Sequence, residues 1–115
     1  MEAFEKLDVW KRSSRLCVAL YKAFENCRDW AFKEQNTRAA LSIPSNIAEG
    51  YERDLNREFA YFLRVAKGSA GELRTQLYVA AEIGRIGRES ALGMVEEARE
   101  IARMIQGLIK SCSEA

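Results

Sequence analysis

Residues 59–80 read FAYFLRVAKGSAGELRTQLYVA, and advancing each residue by the 100° of an ideal helix sorts this stretch into three sectors. Phe59, Phe62, Leu63, Ala66, Ala70, Leu73, Leu77 and Ala80 fall within an arc of about 100°, a stripe that one buried helix face would present. The spacing predicts a helix over residues 56–84. Tyr61, Val65, Val79 and Ile83 form a second apolar strip on another side. A helix in a minimal monomer needs only one, so this strip is either a wide core edge or a candidate subunit interface. Arg57, Arg64, Lys67 and Arg74 occupy the third sector, and Arg85 and Arg88 extend it into the following loop. Between residues 61 and 88 five Lys or Arg stand against Glu72 and Glu82. Such a cluster is a solvated face paired with acidic neighbours on the next helix, or a nucleic-acid contact that releases counterions from phosphates.

Upstream, residues 38–50 read RAALSIPSNIAEG, a run dominated by small residues that places a helix over 33–51. Pro44 removes one backbone donor, so the expectation is a kinked but continuous helix. Gly68 and Gly71 lie inside the next helix, where each costs about 1 kcal/mol relative to Ala. That cost implies close backbones, with Ala39, Ser42 and Ile43 on one side packed tightly against Gly68 and Ser69 on the other. Polar groups inside the contact need partners, and Arg38, Asn46, Glu49, Arg53, Glu58, Glu72 and Gln76 are the candidates. They make either a carboxylate site or a structural polar network of Arg–Glu pairs and Asn–backbone bonds that fixes helix register. Gly50 then reads as the C-cap of its helix, in the left-handed region.

Farther out, Leu7, Trp10, Ser14, Cys17, Leu20, Tyr21 and Phe24 recur at three- and four-residue steps, which predicts a helix over 8–27. Leu92, Val95, Ala98, Ala102, Ile105 and Ile109 do the same over 89–112. Four such segments in 115 residues make one domain, 1–115, of the all-α class: an antiparallel up-down-up-down four-helix bundle.

Composition narrows the chemistry. The chain has no His, which removes the commonest general base and metal ligand, together with Ser-His-Asp and Cys-His nucleophiles. Cys17, Cys27 and Cys112 are too far apart for a zinc knuckle or a redox pair, and the glycines lack the spacing of a phosphate-binding loop. No enzyme activity, cofactor, metal site or small-molecule substrate is expected. A net charge of +1 gives no overall drive toward polyanions. With neither an apolar run of spanning length nor a charged start followed by an apolar segment, the expectation is a cytoplasmic protein without a membrane contact.

Phe4, Leu7, Val9-Trp10, Gln35, Arg38-Ala39-Ala40, the run Ser42 to Gly50, Arg53, Glu58-Phe59, Phe62-Leu63, Ala66, Gly68-Ser69, Glu72-Leu73 and Gln76-Leu77 resemble a bacterial family. Its members are four-helix-bundle proteins encoded in intervening sequences of large-subunit ribosomal RNA, often labelled S23-like. The resemblance covers residues 4–84, and helix 4 carries little of it. Trp30-Ala31-Phe32 stands where the family has a Phe-Pro pair, and Leu55 where it has Ser, so the cap of helix 3 falls to Asp54 or Asn56. The resemblance implies a ring-shaped homo-oligomer, a homopentamer, and kinship with the accessory variability protein of diversity-generating retroelements, a basic barrel that binds nucleic acid. It implies an interaction scaffold whose partners are RNA or an RNA-bound protein; direct nucleic-acid binding through the basic stripe is the alternative. A sequence pI of 7.7 sets this chain apart from that basic barrel.

Overall fold

The computed structural model describes residues 3–114 and is all-helical over them. A single 3-10 turn, Phe4–Lys6, precedes α1 (Asp8–Ala23), α2 (Trp30–Glu52), α3 (Asn56–Glu82) and α4 (Arg88–Glu114). Each helix packs on two others, α1 on α2 and α4, α3 on α2 and α4, and among the described residues the backbones of the diagonal pairs do not approach closely. Cross-helix partners run in opposite directions: Ser42 meets Ser69 while Arg53 meets Glu58, and Lys67 meets Gln106 while Tyr78 meets Arg99. The chain is a four-helix bundle, 45 × 22 × 21 Å along its principal axes.

Local chemistry sets the helix ends, and six of the eight differ from the sequence expectation by one to four residues. α1 stops at Ala23, with Phe24 turning out of helical geometry at φ −96°, ψ 6°. α2 begins three residues early because the Asp29 carboxylate accepts the Phe32 N–H at 3.4 Å, satisfying one of the free N-terminal donors. α2 also continues through the buried Pro44 to Glu52, so Gly50 is helical and is not a C-cap. Neither Asp54 nor Asn56 caps α3: Leu55 is its N-cap, without a side-chain bond, and Asp54 takes the left-handed turn itself at φ 62°. At the other end Gly84 adopts φ 73°, and the Arg85 N–H returns to the Ala80 carbonyl at 2.8 Å, the six-to-one bond of a Schellman stop.

The core stripe of α3 falls where the spacing puts it, with Leu63, Ala66, Ala70, Leu73, Leu77 and Ala80 buried and Phe59 and Phe62 half-buried. On α1 the stripe is rotated: Val9, Ser13 and Leu16 join Cys17 and Leu20 inside, while Tyr21 is exposed. On α4 every expected position is buried except Leu92. Burial also pushes the Cys17 thiol up, whereas Cys112 is only half-buried. Since the thiolate is the reacting species, Cys112 is expected to react with a thiol reagent well before Cys17 under native conditions. Mass-spectrometric mapping of the first modified cysteine checks the order.

Candidate functional site

The seam between α2 and α3 combines a tight backbone approach with a short polar ladder. Ser42 Oγ and Ser69 Oγ lie 2.8 Å apart, and Asn46 Nδ2 donates to both the Ser42 carbonyl, at 2.8 Å, and its hydroxyl, at 2.9 Å. Ala39 and Ile43 are buried beside them. Gly68 does not take part. It is exposed, and a Cβ built on it meets nothing within 4 Å; one position away from Ser69, it is turned about 100° from the seam. The residue that needs to be glycine is Gly50, whose added Cβ would stand 2.6 Å from Phe62 Cβ and 3.2 Å from Phe59 Cδ1.

The polar candidates do not form one network. Arg53 bridges two carboxylates, with Nη2 2.9 Å from Glu49 and Nη1 3.4 Å from Glu58, and its guanidinium lies 5.0 Å over the Phe62 ring. The hydrogen bond to Glu49 is the main cause raising its pKa. Arg38 is elsewhere, in an exposed pair with Glu34 at 3.7 Å. Glu72 is exposed. Gln76 is half-buried, and its Oε1 is enclosed without a hydrogen-bond partner. Of these groups only Arg53 and Glu58 join α2 to α3; among the described residues no group of three or more His, Cys, Asp or Glu is placed to hold a metal ion. Sequence reasoning missed the strongest pair, in which Arg12 donates to both oxygens of Glu97 at 2.9 and 2.6 Å. That bidentate bond, the first cause of the upward shift at Arg12, ties α1 to α4 across 85 residues. No local spacing announces so distant a partner.

Two surfaces remain on α3. Tyr61, Val65, Val79 and Ile83 are 60, 38, 42 and 47% exposed, so they belong to no core edge. At their lower end Val79 borders a cleft of about 330 Å³ with Tyr78, Ala81 and Leu92. The strip runs about 33 Å along the helix at 1.5 Å per residue.

The basic sector divides. Arg85 pairs with Asp29 at 3.0 Å and Arg88 with Glu82 at 3.6 Å, both at the loop end, so these two leave the stripe. Arg57, Arg64, Lys67 and Arg74 stay on the side of α3 that faces α4, where Lys67 Nζ donates to Gln106 Oε1 at 2.6 Å. The expectation of acidic neighbours there fails: α4 meets Lys67 with a neutral amide.

This geometry sets Ser42, Asn46 and Gly50 of the signature run at the seam with α3, and residues 5–107 match the model of the 23S rRNA-intervening sequence protein family. The chain belongs to that family. The match reaches from the first turn through most of α4. No curated protein matches the chain. No helix of the described residues is long and apolar enough to cross a membrane.

Proposed function

We propose that this member of the intervening-sequence protein family is a non-enzymatic, cytoplasmic scaffold whose copies close into a homo-oligomeric ring, a pentamer as the family resemblance implies. Within that ring it holds RNA, or a protein bound to RNA. The observation that carries this proposal is the exposed strip Tyr61, Val65, Val79 and Ile83, which stands apart from the core stripe of the same helix. A closed ring joins two different patches of each copy. The second patch is Val18 and Tyr21 on α1, 54 and 48% exposed, on the helix diagonal to α3. Joining α3 of one copy to α1 of the next is a contact between two different patches, which closes into a ring when the rotation from copy to copy closes. The lack of His in the sequence supports a binding role over catalysis.

Light scattering on the intact chain tests the assembly. The expected mass is a multiple of 13.1 kDa that does not change with salt, because the strip is apolar. Val65→Asp with Val79→Asp is expected to lower the mass to that of smaller species with helical circular dichroism kept, and Tyr21→Asp to do the same from the other side. An unchanged mass in the double variant would remove the α3 strip from the interface.

A further inference from the structure

The cationic surface of the folded chain is shared by two helices. Arg57 to Arg74 covers about 26 Å of α3 at 1.5 Å per residue. Across the groove Lys110 sits one turn beyond Gln106, and Arg103 about one turn before it. Arg12, Arg53 and Arg85 each find a carboxylate. Here Arg103 pairs with Glu100 at 2.9 Å, but among the described residues Arg57, Arg64, Lys67, Arg74 and Lys110 have no ion-pair partner.

The shape between these cations suits a ridge of negative charge. Gly68 leaves open space above the helix. At Gly71 the nearest group is the Arg74 guanidinium, 3.8 Å from where a Cβ would be, so Arg74 lies back toward Lys67. Two shallow clefts of about 400 and 420 Å³ share Arg64; one is completed by Lys67, Gly68 and Gln106, the other by Asn56, Arg57 and Ser113. Their polar lining is donor-rich and holds no carboxylate. It also holds no aromatic ring, so it lacks the stacking platform by which proteins grip unpaired bases. A bilayer would need an apolar wedge amid the cations, and the exposed apolar residues of α3 point to another side.

We propose that the α3–α4 face docks on the phosphate backbone of a double-helical nucleic acid, reading charge and shape without base contacts. This deepens the scaffold reading, on which it rests for its purpose, and in a ring every copy would repeat the face.

The test is anisotropy of a labelled 20-base-pair RNA duplex, titrated with the intact protein at several salt concentrations. With five free cations engaged, the logarithm of affinity is expected to fall with the logarithm of salt at a slope of about −4.5, since each neutralised phosphate contributes about −0.9. Arg57→Ala with Arg64→Ala is expected to reduce that slope by about 2 and to weaken binding at least tenfold at low salt. Arg85→Ala with Arg88→Ala should leave both unchanged, and Gly68→Leu should weaken binding by filling the groove floor. A DNA duplex is expected to bind within a few-fold of the RNA. Equal losses in the two arginine pairs, tighter binding to a single strand or to anionic vesicles, or no binding at low salt would each overturn the proposal. Light scattering separates this from assembly: the Arg57 and Arg64 variant keeps the wild-type mass, whereas the Val65 and Val79 variant changes it.

Discussion

Gly50→Leu is expected to lower the melting temperature by roughly 12 °C, from a destabilisation of about 3 kcal/mol at about 4 °C per kcal/mol for a domain of this size. Gly50 is buried in the last turns of α2, where even a methyl group would stand 2.6 Å from Phe62 Cβ. That atom is fixed to the α3 backbone and has no rotamer by which to move aside. Phe59 closes the other side, its Cα 3.4 Å away, so the added carbon forces the two helices apart. The displacement is felt along the seam, because the Ser42–Ser69 bond at 2.8 Å and the Arg53 bridge to Glu49 and Glu58 lie on either side of it. Gly50→Ala should cost less, about 1–2 kcal/mol, since the gain in helix propensity of about 1 kcal/mol offsets part of the overlap. Gly68→Ala is the control: an exposed helical glycine with open space above it is expected to gain up to about 1 kcal/mol and melt slightly higher. Thermal melts followed by circular dichroism decide it. A wild-type melt for Gly50→Leu would mean that α2 and α3 do not approach as described.

This pair of glycines marks what the sequence could and could not show. Helical periodicity gave the number of helices and their class because buried stripes repeat at the helix period whatever lies opposite them. It located most of the α3 core, missing buried Ala60, and it set Tyr61, Val65, Val79 and Ile83 on another side of the helix. It did not say which glycine the neighbouring helix approaches. Gly68 and Gly50 both sit among small residues, and only the rotation of α3 about its axis turns Ser69 into the seam and leaves Gly68 outside. The α1 stripe slipped for a similar reason. Val9 and Leu16 are spaced as well as Trp10 and Tyr21 are, and the choice between overlapping stripes belongs to the partner helices.

Charge was legible only as composition. The cations of α3 are plain in the sequence, but pairing is tertiary. Arg85 finds Asp29, 56 residues away, and Arg12 finds Glu97, while Lys67 meets only Gln106. Hence the stripe predicted from one helix lost its loop end and gained a second wall from α4. The polar candidates of the seam divided likewise, because Arg38 lies a half-turn around α2 from the buried face and its carboxylate neighbour Glu34 is on its own helix.

Phe24→Ala is expected to remove about 3–5 kcal/mol, a large share of the 5–15 kcal/mol that holds a domain of this kind together. Phe24 is fully buried, yet it stands outside α1, as its C-cap. Its N–H still bonds the Leu20 carbonyl at 3.1 Å, and its own carbonyl accepts from Cys27 at 2.9 Å, so the backbone turns around a side chain that points inward. There its ring meets Phe32 of α2 edge-on, with centroids 6.2 Å apart, where the offset of ring charges favours contact. Phe32 is also the residue whose N–H is held by Asp29. One aromatic pair therefore joins the end of α1 to the start of α2 and sets the angle between them. Alanine would leave a cavity that the short connection, closed by its own hydrogen bonds, cannot collapse to fill. Urea titration is expected to show a lower midpoint with an unchanged slope, the mark of lost stability without a change in the surface exposed on unfolding. Phe24→Leu should recover more than half the loss, because most of the apolar volume returns. An alanine variant with the wild-type midpoint would show that this corner does not bear on the bundle, and that the α1–α2 pair is held by Leu16, Leu20 and Ile43 alone.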